Sequence, residues 1–352
     1  MKSVVYALPR IEPIDLAMVK PLFTSQAPPR LIKYGFNNIG NQLDLLALTS
    51  NPFYKSGLQF DLTRTDPSSF SNQVSKQFHI DNAKLITPAF TELWEIMALF
   101  DLFKTLTTSV TYSQHAAVTL NLIANTYLAM TKAKGKSTHT ITDSNKGGSQ
   151  LAVCWYANID IEEGARVLKL GLELASALEQ LATGGSLIIQ LFNLHTQPTA
   201  EIITLLASCF DNAFIVRPST VSDLSSCKYL VLQGLIAPVQ GLPALATSDL
   251  YLQSLGLTVP LPISTSIQCI NSFLVPYAYS RYNIIKAYLD LKVYEGATYQ
   301  EFIQAQNANT IDWLTTFADP AAASQTLDAH IKATDEACSQ FHVQAGGNNI
   351  DY

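Results

Sequence analysis

Between residues 81 and 236 the apolar positions follow two alternating periods, one typical of helices and one typical of buried strands. Apolar side chains recur at near-helical spacing over residues 162–181, and Gly184 and Gly185 then supply a stop. The next run, SLIIQLF, is apolar nearly throughout, as expected for a strand covered on both faces. Helices are predicted over residues 88–103, 115–130, 162–181 and 198–210, and strands over residues 109–112, 151–156, 186–192, 213–216 and 228–233. This alternation predicts an α/β, doubly wound, Rossmann-like sheet with helices on both faces.

The regions on either side of this core have a different pattern. Residues 1–80 are rich in Pro, Asn, Ser and aromatic residues with little periodicity. That pattern is typical of either an extended arm, ordered by packing on something else, or an N-terminal subdomain. In residues 237–352 a proline-containing stretch precedes predicted helices at 270–292, 298–307, 310–317 and 321–341. The sequence therefore predicts three regions: the arm or subdomain of residues 1–80, the core of residues 81–236, and a mostly helical region of residues 237–352.

Charge is scarce and unevenly distributed along the 352 residues. Only 14% of the residues are charged, against about a quarter in typical proteins. This scarcity suits a surface largely covered by protein partners, and it equally fits a surface rich in Ser, Thr, Asn and Gln. The net charge is +3 for residues 1–86, −3 for residues 87–236 and −6 for residues 237–352. Because RNA binding depends on neutralising phosphates, the acidic core argues against RNA as the main partner.

The residue types that bind metals or form disulfides show no suitable spacing. The five cysteines lie far apart without a CxxC pair, and the six histidines include no HExxH motif. This pattern predicts no metal site and fits a reducing compartment. The N-terminal apolar stretch is too short for a secretion signal, and no apolar run approaches the roughly 18 residues that span a bilayer. We therefore expect a soluble, intracellular protein that has no membrane partner.

Residues 184–235 contain an order of motifs that is found in one family of enzymes. They comprise a Gly-Gly turn, an apolar strand, a helix that starts with Pro-Thr, a strand that ends in Arg-Pro, a Ser/Thr-rich loop and a final apolar strand. This segment resembles the last third of the FtsJ-like RNA ribose 2′-O-methyltransferases, especially the branch from large DNA viruses. Upstream, ITPAFTELWEIMALFDL at residues 86–102 resembles the family's helix with the first catalytic lysine. The strand LAVCWYAN at residues 151–158 matches the one that ends in the catalytic aspartate.

The resemblance also implies that the catalytic residues have been replaced. The family's Lys-Asp-Lys-Glu tetrad falls on Glu92, Asn158, Gln190 and Cys227, and its Ala-Pro-Gly-Gly cofactor loop falls on Gln114, His115, Ala116 and Ala117. Ribose methylation needs a lysine of lowered pKa to deprotonate or orient the hydroxyl group. A cofactor loop needs glycines because its backbone must approach the ligand closely. These losses predict that the chain has no catalytic site and binds no S-adenosylmethionine.

Four functions are compatible with this sequence, and the losses favour the first. It is a catalytically inactive methyltransferase-like protein that serves as a structural or assembly subunit of a virus particle, in the virion or the host cytoplasm, with other protein subunits as partners. The second is an active RNA cap 2′-O-methyltransferase with a rearranged site and S-adenosylmethionine as cofactor. It needs a new lysine, and neither Lys104 nor Lys169 falls at a predicted strand end. The third is a noncatalytic regulatory partner of a methyltransferase, and the fourth is an RNA-binding module that uses the basic N-terminal region.

Overall fold

The fold is built around two β-sheets. A computed structural model describes residues 3–25, 67–105, 108–111, 114–131, 140–141, 148–155, 163–192, 194–221, 225, 227–245, 250–274, 283 and 296–346. Its strands are β1 (Val4–Ala7), β2 (Leu22–Thr24), β3 (Thr108–Thr111), β4 (Thr140–Ile141), β5 (Ser149–Cys154), β6 (Leu181–Leu191), β7 (Phe210–Arg217), β8 (Lys228–Leu235) and β9 (Tyr251–Ser254). Seven strands form the large sheet in the order β1-β7-β8-β6-β5-β3-β4, and β2 and β9 form the small one.

The large sheet is only partly parallel. Strands β3, β4, β5 and β6 run parallel, whereas β8 is antiparallel to both of its neighbours, β6 and β7, and β1 is antiparallel to β7. The predicted α/β class is confirmed, and the two antiparallel strands depart from a doubly wound parallel sheet. Residues 218–227 are the whole connection between β7 and β8. A parallel crossover needs a dozen or more residues, so β8 returns antiparallel.

Helices lie on both faces of the large sheet. They are α1 (Pro67–Gln77), α2 (Pro88–Leu99), α3 (Gln114–Thr131), α4 (Glu163–Gln180), α5 (Gln197–Cys209), α6 (residues 261–274), α7 (Ala297–Phe317), α8 (Pro320–Ser324) and α9 (Leu327–Gly346). Short 3-10 helices occur at Leu16–Met18, Ala83–Leu85 and Leu102–Thr105. Thr87 caps α2 by accepting a hydrogen bond from the Phe90 backbone, and Thr196 caps α5 in the same way through Thr199. A proline in the first turn follows each cap, where the missing N–H has no partner to lose.

Each face of the large sheet has its own hydrophobic core, and side chains alternate between the two along the central strands. On the first face, Ile189 and Leu230 pack with α4, α5 and α6. On the second face, Ile188 and Tyr229 pack with α2, α3 and α7, where Trp94 is the largest fully buried side chain. Burial on both faces explains why these strands are apolar nearly throughout.

Within residues 81–236 the predicted helices and strands coincide with observed elements, and the main difference is at the Gly184-Gly185 pair. Helix α4 already ends at Gln180, and β6 begins at the next residue. The pairing between β5 and β6 then shifts in register before Ser186. Gly184 has a φ of +79°, which a residue with a Cβ rarely adopts. The glycine pair therefore forms an irregularity inside β6 and does not end the helix.

The C-terminal helices have other boundaries than the pattern predicts. Helix α7 is continuous where two helices were predicted, and Thr310 lies buried inside it with its hydroxyl donating to the Gln306 carbonyl at 3.1 Å. The helix predicted over residues 321–341 is divided into α8 and α9 at Gln325 and Thr326. The helix predicted over residues 270–292 lies mostly outside the described residues, and α6 begins earlier, at residue 261.

The amino-terminal residues are built into this core. Strand β1 forms one edge of the large sheet, and β2 pairs with β9 in the small one. Helix α9 covers the outer side of β1: the Val5 N–H donates to Thr334 Oγ1 at 3.0 Å, and His330 Nδ1 lies 3.2 Å from the Ser3 carbonyl oxygen. A helix in this position blocks further strand pairing at the edge. The pattern of residues 1–80 did not indicate this arrangement.

Candidate functional site

The end of β6 and the start of β8 meet at the edge of the large sheet where the carboxyl ends of its parallel strands lie. The two strands are antiparallel neighbours, with Gln190 paired to Tyr229 and Leu191 to Lys228. Cys227, the residue before β8, accepts a hydrogen bond on Sγ from Gln190 Nε2 at 3.4 Å. Both side chains are buried, since Gln190 is 7% exposed and Cys227 is 4% exposed. Two positions that the resemblance equates with a catalytic lysine and glutamate are therefore in direct contact.

Glu92 reaches the same place from α2. Its Oε2 accepts a hydrogen bond from the Tyr229 hydroxyl at 2.5 Å, and both side chains are buried. Helix α2 covers the second face of the sheet, which is also the face of Cys227 and Tyr229. Glu92, Gln190 and Cys227 thus converge, and Tyr229 joins them as a residue that the sequence analysis missed. We call these four side chains the edge cluster.

Asn158, the fourth tetrad position, lies outside the described residues. The strand that precedes it, β5, ends at Cys154, which pairs with Ile189 of β6. Cys154 therefore lies one strand away from Gln190 and close to the same edge of the sheet. The described residues bring three of the four predicted positions together and leave the position of the fourth unassigned.

The electrostatics of the edge cluster keep its thiol and phenol protonated. Burial and the charge of Glu92 together raise the pKa of Cys227 to about 12, and the hydrogen bond from Gln190 acts in the opposite direction. Burial also raises the pKa of Tyr229 well above 10, with a further contribution from Glu92. A neutral thiol is a poor nucleophile, and neither group accepts a proton at neutral pH. The cluster is therefore suited to packing and hydrogen bonding.

Lys228 is a lysine at this edge that the sequence analysis missed. Its side chain is 4% exposed, and its Nζ donates to the Phe192 carbonyl at 2.8 Å. Because side chains alternate along a strand, Lys228 lies on the opposite face from its neighbours in the edge cluster. Of the two lysines that were considered, Lys104 is exposed and paired with Asp101, and the side chain of Lys169 lies outside the described residues. The direction of β8, which the sequence did not reveal, is what brings Lys228 to this edge.

The positions of the family's cofactor loop form the first turn of α3. The helix begins at Gln114, and residues 112–113 are the whole connection from β3. Ala116 is fully buried and Ala117 is half-buried, while the side chains of Gln114 and His115 lie outside the described set. A helical turn does not use the positive-φ geometry with which a glycine loop approaches a ligand closely.

A second buried carboxylate lies one turn further along α2. Glu95 is fully buried, and its oxygens accept hydrogen bonds from Ser3 Oγ at 2.6 Å, Ser219 N at 2.6 Å, Ser219 Oγ at 2.8 Å and Trp313 Nε1 at 3.0 Å. Glu95 thus connects the start of β1, the loop after β7 and helix α7. Burial raises the pKa of Glu95, and the four hydrogen bonds oppose this rise. The sequence analysis missed Glu95 because its partners are 92, 124 and 218 positions away.

The metal-binding residue types do not cluster in the part of the chain that the structure describes. There, no group of three or more His, Cys, Asp or Glu side chains is placed to hold a metal ion. The five cysteines are free thiols. Among the helices in the described ranges, none combines the length and the apolar character needed to cross a membrane.

Comparison with known proteins identifies a viral relative. The chain is 38% identical over 347 residues to an uncharacterized protein, R383, of Acanthamoeba polyphaga mimivirus. The matched residues cover 96% of this chain and 97% of that protein. No protein-family model matches the chain.

Proposed function

The chain belongs to the same family as mimivirus R383, and we propose that it is a catalytically inactive methyltransferase-like protein that serves as a structural or assembly subunit of a virus particle. One observation carries this proposal. Three of the side chains in the edge cluster, Glu92, Gln190 and Cys227, stand at positions that the resemblance equates with catalytic residues, and all four side chains of the cluster are buried and hydrogen-bonded within it. S-adenosylmethionine is not a ligand of the chain under this proposal.

The arrangement of the sheet supports the methyltransferase-like part of the proposal. The resemblance equates Gln190 with the end of one strand and Cys227 with the start of another. Those strands are neighbours, and the two side chains touch although they are 37 positions apart. Glu92 joins them from a helix through Tyr229, 137 positions away. An accidental similarity of sequence gives no reason for these positions to converge, and parallel strands with helices on both faces are the setting of a Rossmann-like site.

The chemistry of the edge cluster supports the inactive part of the proposal. A ribose hydroxyl needs a group that removes or holds its proton near the methyl donor. The amide of Gln190 has no basic nitrogen, and the Cys227 thiol and Tyr229 phenol are protonated. Glu92 holds the Tyr229 hydroxyl, and Lys228 lies on the other face of the sheet. None of these groups has the exposed surface that a ribose would need.

The assembly part of the proposal rests on what the chain retains. Glu92, Gln190 and Cys227, at three of the former catalytic positions, belong to a packed interior, which favours a use of the fold itself. Only 14% of the residues are charged, and the cores of protein interfaces are depleted of charge. The relative that covers nearly the whole chain is a viral protein. A scaffold or assembly role in a virus particle would account for the packed interior, the low charge and the viral relative together.

Binding and activity assays on the full-length chain test the inactive part. Titration of S-adenosylmethionine by calorimetry should show no specific binding, and incubation with capped RNA should transfer no methyl group. An active 2′-O-methyltransferase measured under the same conditions is the positive control. Specific binding in the low-micromolar range, or methyl transfer above background, would show that the chain is an enzyme with a rearranged site.

Restoring the tetrad sharpens this test. The variant Glu92→Lys, Asn158→Asp, Gln190→Lys, Cys227→Glu has the family's catalytic residues but retains the helical turn at Gln114. We expect no methyl transfer, because the cofactor still has no glycine loop to bind it. Circular dichroism and thermal unfolding verify that the variant is folded. Methyl transfer by the folded variant would contradict this account of the cofactor loop.

The location of the family protein separates the structural role from a regulatory one. Quantitative mass spectrometry of purified mimivirus particles measures the copy number of R383. The proposal expects many copies per particle, in a fixed ratio to other structural proteins. If R383 is absent from particles and is isolated from infected cells in a stoichiometric complex with an active methyltransferase, the regulatory function replaces the structural one.

A further inference from the structure

Two of the buried cysteines lie on separate helices that meet beside β1. Cys269 belongs to α6 and is 6% exposed, and Cys338 belongs to α9 and is 4% exposed. Both side chains are thiols, and neither belongs to the edge cluster. The two helices come from distant parts of the sequence, so the position of each thiol follows from the way its helix packs against β1.

Helix α9 runs in the same direction as β1. At Ser3 the contact is with His330, and at Val5 it is with Thr334, one helical turn later. Four helical residues rise about 6 Å and two strand residues rise about 6.6 Å, so each turn of α9 advances two residues along β1. The next turn places the buried Cys338 level with the last residues of β1.

Tyr6 of β1 connects Cys338 to α6. Its side chain packs on the core of the first face and is hydrogen-bonded to Ser266 and Cys269, which lie one turn apart on α6. Burial raises the pKa of Tyr6, and the charges of Cys269 and Cys338 raise it further. The two sulfur atoms thus lie on either side of one phenol. We call Tyr6, Cys269 and Cys338 the thiol cluster.

We propose that Cys269 and Cys338 are a disulfide-forming pair, and that the bond between them fastens α9 to α6 across the end of β1. The oxidant is a low-molecular-weight disulfide. The Cys269 thiolate attacks its S–S bond, which forms a mixed disulfide and releases one thiol. The Cys338 thiolate then attacks Cys269 Sγ and releases the second thiol. The two electrons reduce the oxidant's S–S bond, and the protons of the two cysteines end on the two released thiols.

The electrostatics of the thiol cluster set the order and the rate of these steps. Burial raises the pKa of Cys269, and its hydrogen bond with Tyr6 opposes this rise. Burial and the charges of Cys269 and Asp335 raise the pKa of Cys338 to about 12. Cys269 therefore reacts first, because its thiolate has a hydrogen-bond donor. Since both thiols are buried and protonated at neutral pH, the reaction needs a transient opening of α9 and is slow.

The bond has a mechanical consequence for the edge strand. Helix α9 covers the outer side of β1, where its Thr334 hydroxyl accepts from the Val5 N–H. A disulfide to α6 keeps α9 in this position and so keeps the edge from pairing with another strand. In a reducing compartment the pair stays as two thiols, and the bond forms where the chain meets an oxidant. This inference does not rest on the proposed function.

Peptide mass spectrometry of the folded, full-length chain tests the pairing directly. The chain is incubated without denaturant in oxidised glutathione, the remaining thiols are blocked, and trypsin is added without a reductant. Residues 229–281 and 333–352 are tryptic peptides with one cysteine each, Cys269 and Cys338. We expect these two peptides to be joined in most of the monomeric chain after hours of incubation, and to separate on reduction.

Thermal unfolding and hydrogen exchange measure the effect of the bond on α9. The oxidised chain should melt about 3–8 °C higher than the reduced chain, because the bond closes a long loop. The amide of Val5 should exchange at least about tenfold more slowly, since its exchange requires α9 to open. Cys338→Ala should remove both differences. Cys209→Ala is the matched control, because Cys209 is half-buried outside the thiol cluster, and it should retain both.

Three results overturn the inference. They are recovery of both peptides with unpaired thiols or with glutathione adducts alone, a cross-link between two chains in place of one within the chain, and pairing of either cysteine with another partner. A Cys269–Cys338 bond that leaves the exchange of Val5 unchanged overturns the fastening of α9. Because the cross-link is read from the wild-type chain, a variant that fails to fold leaves the test intact. S-adenosylmethionine binding and methyl transfer are measured separately, so failure here is distinct from failure of the proposed function.

Discussion

Two buried glutamates lie one turn apart on α2 and have different surroundings. Glu92 belongs to the edge cluster, where the Tyr229 hydroxyl donates to it. Glu95 is the acceptor for four donors, which come from the start of β1, the loop after β7 and helix α7. The resemblance to methyltransferases singled out Glu92 and gave no weight to Glu95.

The comparison shows that the position that the resemblance equates with a catalytic lysine and the position that joins distant segments of the chain are separate even within one helix. Glu92 accepts its hydrogen bond from Tyr229 inside one buried cluster. Glu95 joins segments that are far apart in the sequence, so its contribution is to the stability of the whole chain. We therefore expect substitutions at Glu95 to affect stability most and substitutions in the edge cluster to affect it less.

The largest effect is expected for Glu95→Ala. It removes the acceptor for four hydrogen bonds and leaves the buried Trp313 indole N–H without the carboxylate that accepts from it. Leaving buried donors unpaired should lower the free energy of unfolding by about 3–5 kcal/mol. Urea denaturation measures the change. Glu336→Ala, on the exposed side of α9, is the control and should change the same quantity by less than about 0.5 kcal/mol. If both substitutions lowered the free energy of unfolding by the same amount, the structural role of Glu95 would be contradicted.

The second prediction concerns the pH dependence of stability. The pKa of Glu95 in the folded chain is raised above its usual 4.5 by burial. Above about pH 4.5 the unfolded chain loses a proton that the folded chain still holds, so the free energy of unfolding falls as the pH rises toward the folded pKa. The slope from this group is at most about 1.4 kcal/mol per pH unit. Glu95→Gln cannot titrate and should lose this component, whereas Glu336→Gln should retain it. Identical slopes for wild type and Glu95→Gln would contradict the raised pKa.

The sequence predicted those helices and strands whose hydrophobic pattern lies within a short stretch of residues. The helices and strands of residues 81–236 were predicted because amphipathic spacing and apolar runs report local structure. Strand β1 was missed, since four residues between short irregular stretches give no periodicity. The direction of β8 was missed as well, because an apolar strand has the same pattern in either direction. In α7 the buried packing of Gln306 and Thr310 overrides the low helix propensity of the two nearby asparagines.

The same limit applies to the edge cluster. The resemblance identified Glu92, Gln190 and Cys227, and the structure brings these three side chains together. It did not identify Tyr229, because the pairing of Tyr229 with Glu92 has no counterpart in the family's motif. Lys228 and Glu95 depend on strand direction and on partners more than 30 positions away. Contacts of this kind follow from the assembled fold and have no signature in a short stretch of sequence.

A smaller effect than that of Glu95→Ala is expected for Tyr229→Phe. It removes the hydroxyl that donates to the buried Glu92 carboxylate and should lower the free energy of unfolding by about 1.5–3 kcal/mol. A double-mutant cycle with Glu92→Leu separates the contact from general packing. The combined variant should cost less than the sum of the two single changes by about 1–2 kcal/mol, because each single change leaves a polar partner behind. Additive effects would mean that Glu92 and Tyr229 do not stabilise each other.

The smallest effect is expected for the reactivity of Cys227. With a pKa of about 12, its thiolate fraction at neutral pH is roughly a hundred-thousandth, and the thiol is also buried within the edge cluster. Iodoacetamide should therefore leave Cys227 unmodified in the folded chain and modify it after unfolding in urea. Cys209, which is half-buried, is the internal comparison and should react sooner. Peptide mass spectrometry after timed labelling measures both rates. Rapid labelling of Cys227 in the folded chain would mean that the edge of the sheet is open and its thiol activated, which is the state that an enzyme, and not an inactive scaffold, would maintain.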